Sequence, residues 1–159
     1  MAQHHQLLHA LARKGDRAGL ECQLQRGAAV DEVDEESNTP LHVAVQAPRS
    51  EEAIVQCLLK HGSDTNAVNY LGASPLHYVA LRKHNHAGVA GLLLDHGAAI
   101  DAQTLAGKTV LHFAAEAGLA AFLGFLCTRG ASCSATDQDG STAVHRMLLT
   151  AGLRDTVRL

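Results

Sequence analysis

At 159 residues, 47% apolar and 18% charged, the chain has the size and composition of one globular domain, which argues against a disordered or fibrous segment. Its formal charge of −3 with histidines neutral supplies no basic field of the kind duplex nucleic acid demands, so no nucleic-acid partner is expected. No apolar run reaches the ~18 residues of a membrane span, and the start MAQHHQLLHALARKG lacks the charged-then-apolar order of a secretion signal. The expected location is cytoplasmic, with the nucleus as the alternative, and no membrane insertion is expected.

The first segment, residues 1–33, carries QLLH (Gln6 to His9) and a closing QLQRGA with Gly27. Gln3, Gln6, Arg13, Lys14, Gln23 and Gln25 give it the polar dressing of a terminal cap, so Met1 is expected to be a natural start. DEVDEE (Asp31 to Glu36) follows, five acids in six residues. Residues 34–68 contain TPLH (Thr39 to His42). A hydroxyl directly before Pro40 predicts an N-cap with proline at the first helical position, and hence a helix of about two turns over LHVAVQ. A turn at 48–50 leads to IVQCLLKHG, whose Gly62 suits the left-handed position that ends a helix. Residues 69–103 repeat the arrangement with SPLH (Ser74 to His77), a turn at 83–86 and GVAGLLLDHG ending at Gly97. Residues 104–136 do so with TVLH (Thr109 to His112), a turn at Gly118 and AFLGFLCTRG ending at Gly130. Residues 137–159 begin again with TAVH (Thr142 to His145) and stop at GLRDTVRL.

The motif histidines step by 33, 35, 35 and 33 residues, and self-similarity at such a period signals a repeat array. Each closing glycine precedes the next motif histidine by 15 residues, whereas each histidine precedes its own glycine by 18, 20, 20 and 18. The extra residues of units two and three therefore fall between first and second helix. The segments after the glycines, SDTNAVNYLGAS, AAIDAQTLAGKT and ASCSATDQDGST, are rich in turn formers and read as turns or hairpin loops. With five aromatic residues and no Trp, the core must come from Leu, Ala and Val, which suits thin stacked layers stabilised by nearest neighbours. One further step beyond His145 overshoots Leu159, so the fifth second helix is expected to be incomplete, the chain to be a fragment of a longer array, with a shortened cap as the alternative, and 153–159 to be its least protected helical segment.

These residues closely resemble the ankyrin-repeat family, whose pattern runs D-x-x-G-x-T-P-L-H-x-A-A, a turn, an apolar helix, then G-A-D-V-N-A. The resemblance covers essentially the whole chain. It implies an all-α solenoid of stacked helix-turn-helix units with projecting β-hairpin loops, first helices lining a concave face and second helices forming the convex back. It also implies that each motif histidine bonds its own unit's Thr or Ser hydroxyl and the adjacent loop backbone. The sequence departs from the pattern at Ser37, which replaces the loop glycine of unit two, at Asn69 and Thr104, which replace the leading aspartate, and at Val110 and Ala143, which replace proline. These positions put the local hairpin geometry in question.

Cys22 and Cys57 share one position in successive second helices and Cys127 lies in a third, so buried thiols acting as small hydrophobes are expected for these three. No C-x-x-C spacing suggests a metal or redox pair, and no structural disulfide is expected. Of eleven histidines, five belong to the motif and His61 and His96 precede closing glycines. His4, His5, His84 and His86 read as solvated surface residues, since nothing supplies partner ligands at zinc spacing. No cofactor or metal is expected. The sequence holds no G-x-S-x-G elbow, phosphate-cradling glycine loop or H-E-x-x-H, and a solenoid lacks the deep pocket that catalysis usually needs, so an enzyme is not expected.

The expected function is a non-enzymatic scaffold or adaptor, monomeric on its own, that binds a protein or peptide partner on its concave face and hairpin tips. The alternatives are an occluding inhibitor of an enzyme such as a protein kinase, and the targeting domain of a larger enzyme. In ankyrin repeats the positions left free by stacking are the hairpin tips and the exposed face of the first helix. Here they read Glu35, Glu36 and Gln46, then Tyr70, Leu71, Leu81 and Arg82, then Leu105, Lys108 and Glu116, with Val33, Val68, Gln138 and Asp139 beside them. An exposed apolar patch is expected at Tyr70, Leu71 and Leu105; the alternative is that these side chains fold back onto their own loops. The DEVDEE run reads either as a solvated hairpin or as a rim that attracts a basic partner. Finally, Leu58, Asp64 and Asn66 in LLKHGSDTN resemble the leucine, acid and target asparagine that the oxygen-dependent asparaginyl hydroxylase recognises, with Thr65 departing from the usual aliphatic residue.

Overall fold

The structure, a computed structural model, describes residues 6–47 and 52–150. The turn expected at 48–50, His4, His5 and the segment 153–159 lie outside the described residues. The first helices of the units are α1 (Leu7–Lys14), α3 (Pro40–Gln46), α5 (Pro75–Val79), α7 (Val110–Glu116) and α9 (Ala143–Thr150). The second helices are α2 (Arg17–Gln25), α4 (Glu52–Lys60), α6 (His86–Asp95) and α8 (Ala120–Thr128). Each first helix packs on the next first helix and each second helix on the next second helix, while helix pairs close within units, so two helical layers run the length of the array. This is the all-α solenoid that the ankyrin-repeat resemblance implies. The additional residues of unit three fall between α5 and α6, where the spacing places them.

Local chemistry accounts for the helix limits. Thr39 is the N-cap of α3, Ser74 of α5 and Thr109 of α7, each in extended conformation, and Pro40 and Pro75 occupy the first helical turn. Each second helix ends in a Schellman closure: Gly27, Gly62, Gly97 and Gly130 take φ of 90°, 84°, 87° and 92°, and the next residue's N–H returns to a carbonyl five residues earlier, as Ser63 does to Leu58 at 3.1 Å.

The centre of the stack is a row of fully buried leucines, Leu8, Leu20, Leu41, Leu58, Leu76, Leu93, Leu111 and Leu126, with Ile54 among them. Ala12, Ala44, Ala90, Ala114 and Ala115 fill the close contacts between helices. The thiol expectation requires correction: Cys57 is buried, but Cys22 and Cys127 are exposed. Cys22 shares the register of Cys57, yet α2 has no second helix on its outer side among the described residues, and the same holds for Cys127 on α8.

The loops between units project as fingers made of turns. Among the described residues there is no strand, only an isolated antiparallel bridge between Thr136 and Thr142. Each finger is closed by a backbone bond from the N–H of residue i to the carbonyl of i+4, Asp34 to Asn38, Asn69 to Ala73, Thr104 to Lys108 and Asp137 to Ser141 at 2.9–3.1 Å, and by the return bond of the i+3 N–H to the carbonyl of i, as in Gly72 to Asn69 at 2.9 Å. These bonds make one tight turn per finger, too short a ladder for a hairpin of strands.

Candidate interaction surface

The motif histidines His9, His42, His77 and His112 fix the surface by joining their first helices to the next finger. The Nδ1 of His42 accepts the Thr39 backbone N–H at 3.1 Å, so this nitrogen is unprotonated and Nε2 donates to the Ala73 carbonyl at 3.0 Å. Ser74 and His77 repeat the arrangement, with Nε2 reaching the Ala102 and Lys108 carbonyls at 2.9 and 3.2 Å. His112 takes the Thr109 N–H and reaches the Ser141 carbonyl at 2.9 Å. In unit one, His9 donates to the Asn38 carbonyl at 2.8 Å, but Gln6 stands where the others have Thr or Ser, and His9 Nδ1 has no partner among the described residues. Burial pushes the pKa of His42 and His77 below the usual imidazole value, against the opposing pull of their carbonyl partners, so both rings are held neutral.

The fingers are also joined to one another. The Tyr70 N–H donates to the Glu36 carbonyl at 3.2 Å, Leu105 to Leu71 at 3.0 Å and Gln138 to Ala106 at 3.0 Å, which makes the tips one continuous edge. Beneath them, Asn69 links its Nδ2 to Asn38 Oδ1 at 2.9 Å and to the Tyr78 hydroxyl at 2.8 Å, while its Oδ1 accepts the Leu71 and Ala73 N–H groups. Asp34 and Asp137 accept the N–H groups at the same two offsets, so asparagine replaces aspartate without loss of the turn. Thr104 supplies one such bond, to Lys108 N–H at 3.2 Å. Ser37 is forced to φ of 61°, where the other fingers place Gly72, Gly107 and Gly140 at 69°, 74° and 72°.

On this edge Tyr70, Leu71 and Leu105 are 58%, 47% and 70% exposed, and the Leu105 side chain lies over Gly72, whose lack of a Cβ makes the approach fit. Val33, Val68 and Leu81 are also exposed. The acidic run divides by role. Asp31 ties to the next finger through the Ser63 hydroxyl at 2.8 Å and the Asp64 N–H at 3.1 Å, and Asp34 shapes its own turn. Glu35 and Glu36 are exposed and, with Gln46, Arg13 and Tyr78, line a groove of about 600 Å³ between fingers and first helices. Tyr78 escaped the sequence reading because its helix is apolar nearly all round and gives no sign of which side faces the groove.

Arg82, expected at the free face, is half-buried and donates to the Val45 carbonyl at the end of α3 at 2.8 Å. Lys108 and Glu116 pair with each other at 2.7 Å, and Arg146 joins them at 3.8 Å while also binding Asp137 and Asp139. Asn66 is exposed, with Nδ2 donating to the Gly97 carbonyl at 2.9 Å and Oδ1 accepting the Ala99 N–H at 2.8 Å, so its amide bridges two loops. His61 and His96 bond the Cys57 and Leu92 carbonyls one turn back, each at 2.8 Å. His86 differs from the solvated reading: it is half-buried, bonds the Arg82 carbonyl at 2.8 Å and packs its ring against Phe122. Among the described residues no three His, Cys, Asp or Glu side chains gather as a metal-holding group, and no helix is long and apolar enough to cross a membrane.

No curated protein matches the sequence. Two family models do: one described as ankyrin repeats (3 copies) over residues 8–104, and one described as ankyrin repeats (many copies) over residues 93–146. The first alone takes in more than half of the 159 residues, and the matched span coincides with the stacked units, the capped first helices and the glycine closures described above. The chain belongs to the ankyrin-repeat family.

Proposed function

We propose that the chain is a non-enzymatic scaffold or adaptor that holds a protein or peptide partner along the finger edge and in the groove beside it. Ankyrin repeats generally mediate protein–protein interaction and are typically non-enzymatic modules, which supports the class. The observation that carries the location is the exposure of Tyr70, Leu71 and Leu105 on adjacent fingers whose backbones bond to each other. Three large apolar side chains held in water on a rigid edge gain at ~25 cal/mol per Å² when covered, and the fixed backbone spares a partner most of the ordering cost.

The charge beside the patch indicates what the partner presents. Glu35 and Glu36 stand at the groove with exposed carboxylates, so a segment carrying basic side chains next to apolar ones is complementary to it. Gln46 and Leu81 extend the surface along the first helices, and Arg82 borders it while anchored to α3. On the unit-four side Lys108 pairs with Glu116, which Arg146 also reaches, so a partner meets charges that are already paired.

Photo-crosslinking tests the face directly. A benzophenone amino acid at Leu105 is expected to capture a protein from an extract of the source cell, and the same group at Gln56, exposed on α4, is expected to capture none. Capture from Gln56 alone would place the partner on the opposite layer.

A further inference from the structure

Two cysteines that the stacking core does not use lie together at the end of unit four. Cys127 is on the last turn of α8, Cys133 is three residues past Gly130, and their sulfurs are 3.1 Å apart. Both are free thiols and both are exposed. The fold brings these positions together by construction. The Ala131 N–H returns to the Leu126 carbonyl at 3.0 Å and Gly130 takes φ of 92°, which reverses the chain over the helix end. The Ser132 N–H is held by Asp101 Oδ1 at 2.8 Å, so the segment that carries Cys133 is anchored to the preceding finger. In the other units the same two positions hold Leu24 and Val30, Leu59 and Thr65, and Leu94 and Ile100. Only here does a side-chain pair of this register consist of two groups that can form a bond.

We propose that Cys127 and Cys133 are a modification site, a thiol pair that hydrogen peroxide closes to an intramolecular disulfide. A disulfide needs about 2.05 Å between sulfurs, so closure asks for a movement of about 1 Å in two exposed side chains. The hydrogen bond that the two sulfurs share pushes the Cys127 thiol pKa up, which favours the Cys133 sulfur as the first to react. Its thiolate attacks one peroxide oxygen, the O–O bond breaks, and hydroxide leaves and is protonated to water, giving a sulfenic acid. The Cys127 sulfur then attacks that sulfur, the S–O bond breaks, and the thiol proton leaves with the hydroxyl as a second water. Two thiols and one peroxide give one disulfide and two waters, with both electrons passing from the sulfurs to the peroxide. Cys22, exposed without a neighbouring thiol in the described structure, is the internal control, and Cys57 is the buried one.

The chain carries its own reporter, because Arg129 lies between the two cysteines. After brief treatment with hydrogen peroxide, alkylation of free thiols and non-reducing trypsin digestion, the peptides ending at Arg129 and beginning at Gly130 are expected to appear joined. Their mass is expected to be lower by about 2 Da than the sum of the two, and a reductant should separate them. Loss of alkylation at Cys127 and Cys133 should exceed that at Cys22 by about tenfold, since the second sulfur is already in place. Cys133→Ser should abolish the joined peptide while keeping the wild-type circular dichroism spectrum and melting curve. Equal alkylation of Cys22, Cys127 and Cys133 after treatment, or sulfinic acid at Cys127 and Cys133 without a joined peptide, would overturn the proposal. Joining equally frequent with Cys22, or only between chains by intact mass, would also overturn it.

Discussion

Replacing His77 by alanine tests how the units are held together. The ring is 1% exposed, accepts the Ser74 N–H at 3.0 Å, donates to the Ala102 carbonyl at 2.9 Å and meets the edge of Phe113 with centroids 5.6 Å apart. Truncation leaves a buried N–H without its acceptor and a carbonyl in the next finger without its donor. Two lost bonds cost about 1 kcal/mol each net, and the void costs about 1–2 kcal/mol more, so the expected loss is about 3–4 kcal/mol. Thr109→Ala, which removes one helix N-cap hydroxyl, should cost about 1 kcal/mol. With a urea m-value of about 2 kcal/mol per molar, the midpoints fall by about 1.5–2 M and about 0.5 M respectively. Equilibrium urea unfolding followed by circular dichroism reads both. A His77→Ala midpoint no lower than that of Thr109→Ala would mean that the histidine does not join helix to finger, and the stitching argument would fail.

Further expectations follow from single positions. Ser37 occupies the left-handed conformation that glycine takes in the other fingers, so Ser37→Gly should stabilise by about 0.5–1 kcal/mol in the same melts; a loss of stability would show that the serine side chain has a role of its own. His42 and His77 have folded pKa values depressed below 6.5, so the unfolded chain binds more protons below that pH. Their contribution is therefore complete above 6.5 and declines as pH falls through it, by up to about 1.4 kcal/mol per histidine per pH unit. Melts at about pH 5.5 and about pH 7.5 should show the lower stability in acid, and the reverse order would contradict neutral buried rings. Asn66, exposed beside Asp64, should gain a single oxygen when the chain is co-expressed with the asparaginyl hydroxylase, and peptide mass spectrometry that finds none would end that proposal.

The fold was legible because its signals are local. A hydroxyl, a proline and a histidine in fixed order start the first helices at Thr39 and Ser74, and a glycine closes the second helices at Gly62 and Gly97, each for a backbone reason that one sequence displays. The exposure of Tyr70, Leu71 and Leu105 was legible for a related reason, since apolar residues at loop tips have no layer to enter. What the sequence concealed depends on contacts between units. Arg82 and Val45 are 37 residues apart, and only the stack brings the guanidinium to that carbonyl. The Lys108–Glu116 pair, the Tyr78 hydroxyl on Asn69 and the meeting of Cys127 with Cys133 likewise require side-chain directions that the repeat pattern does not encode. Cys22 departs from the expectation because a shared register does not ensure a shared cover where no described helix packs on that side.

The central claim is that a partner is held on the finger edge, and calorimetric titration of the captured partner tests it most directly. Tyr70→Ala and Leu71→Ala should each weaken binding by about 1–3 kcal/mol with unchanged melting curves, as loss of anchors near an interface centre does. Charge reversal at Glu35 and Glu36 should act through the salt dependence of binding, and substitution of Gln56 or Lys60 on the opposite layer should leave affinity unchanged. Normal binding by the Tyr70/Leu71 double variant together with loss of binding on changing Gln56 and Lys60 would show that the partner occupies the other face.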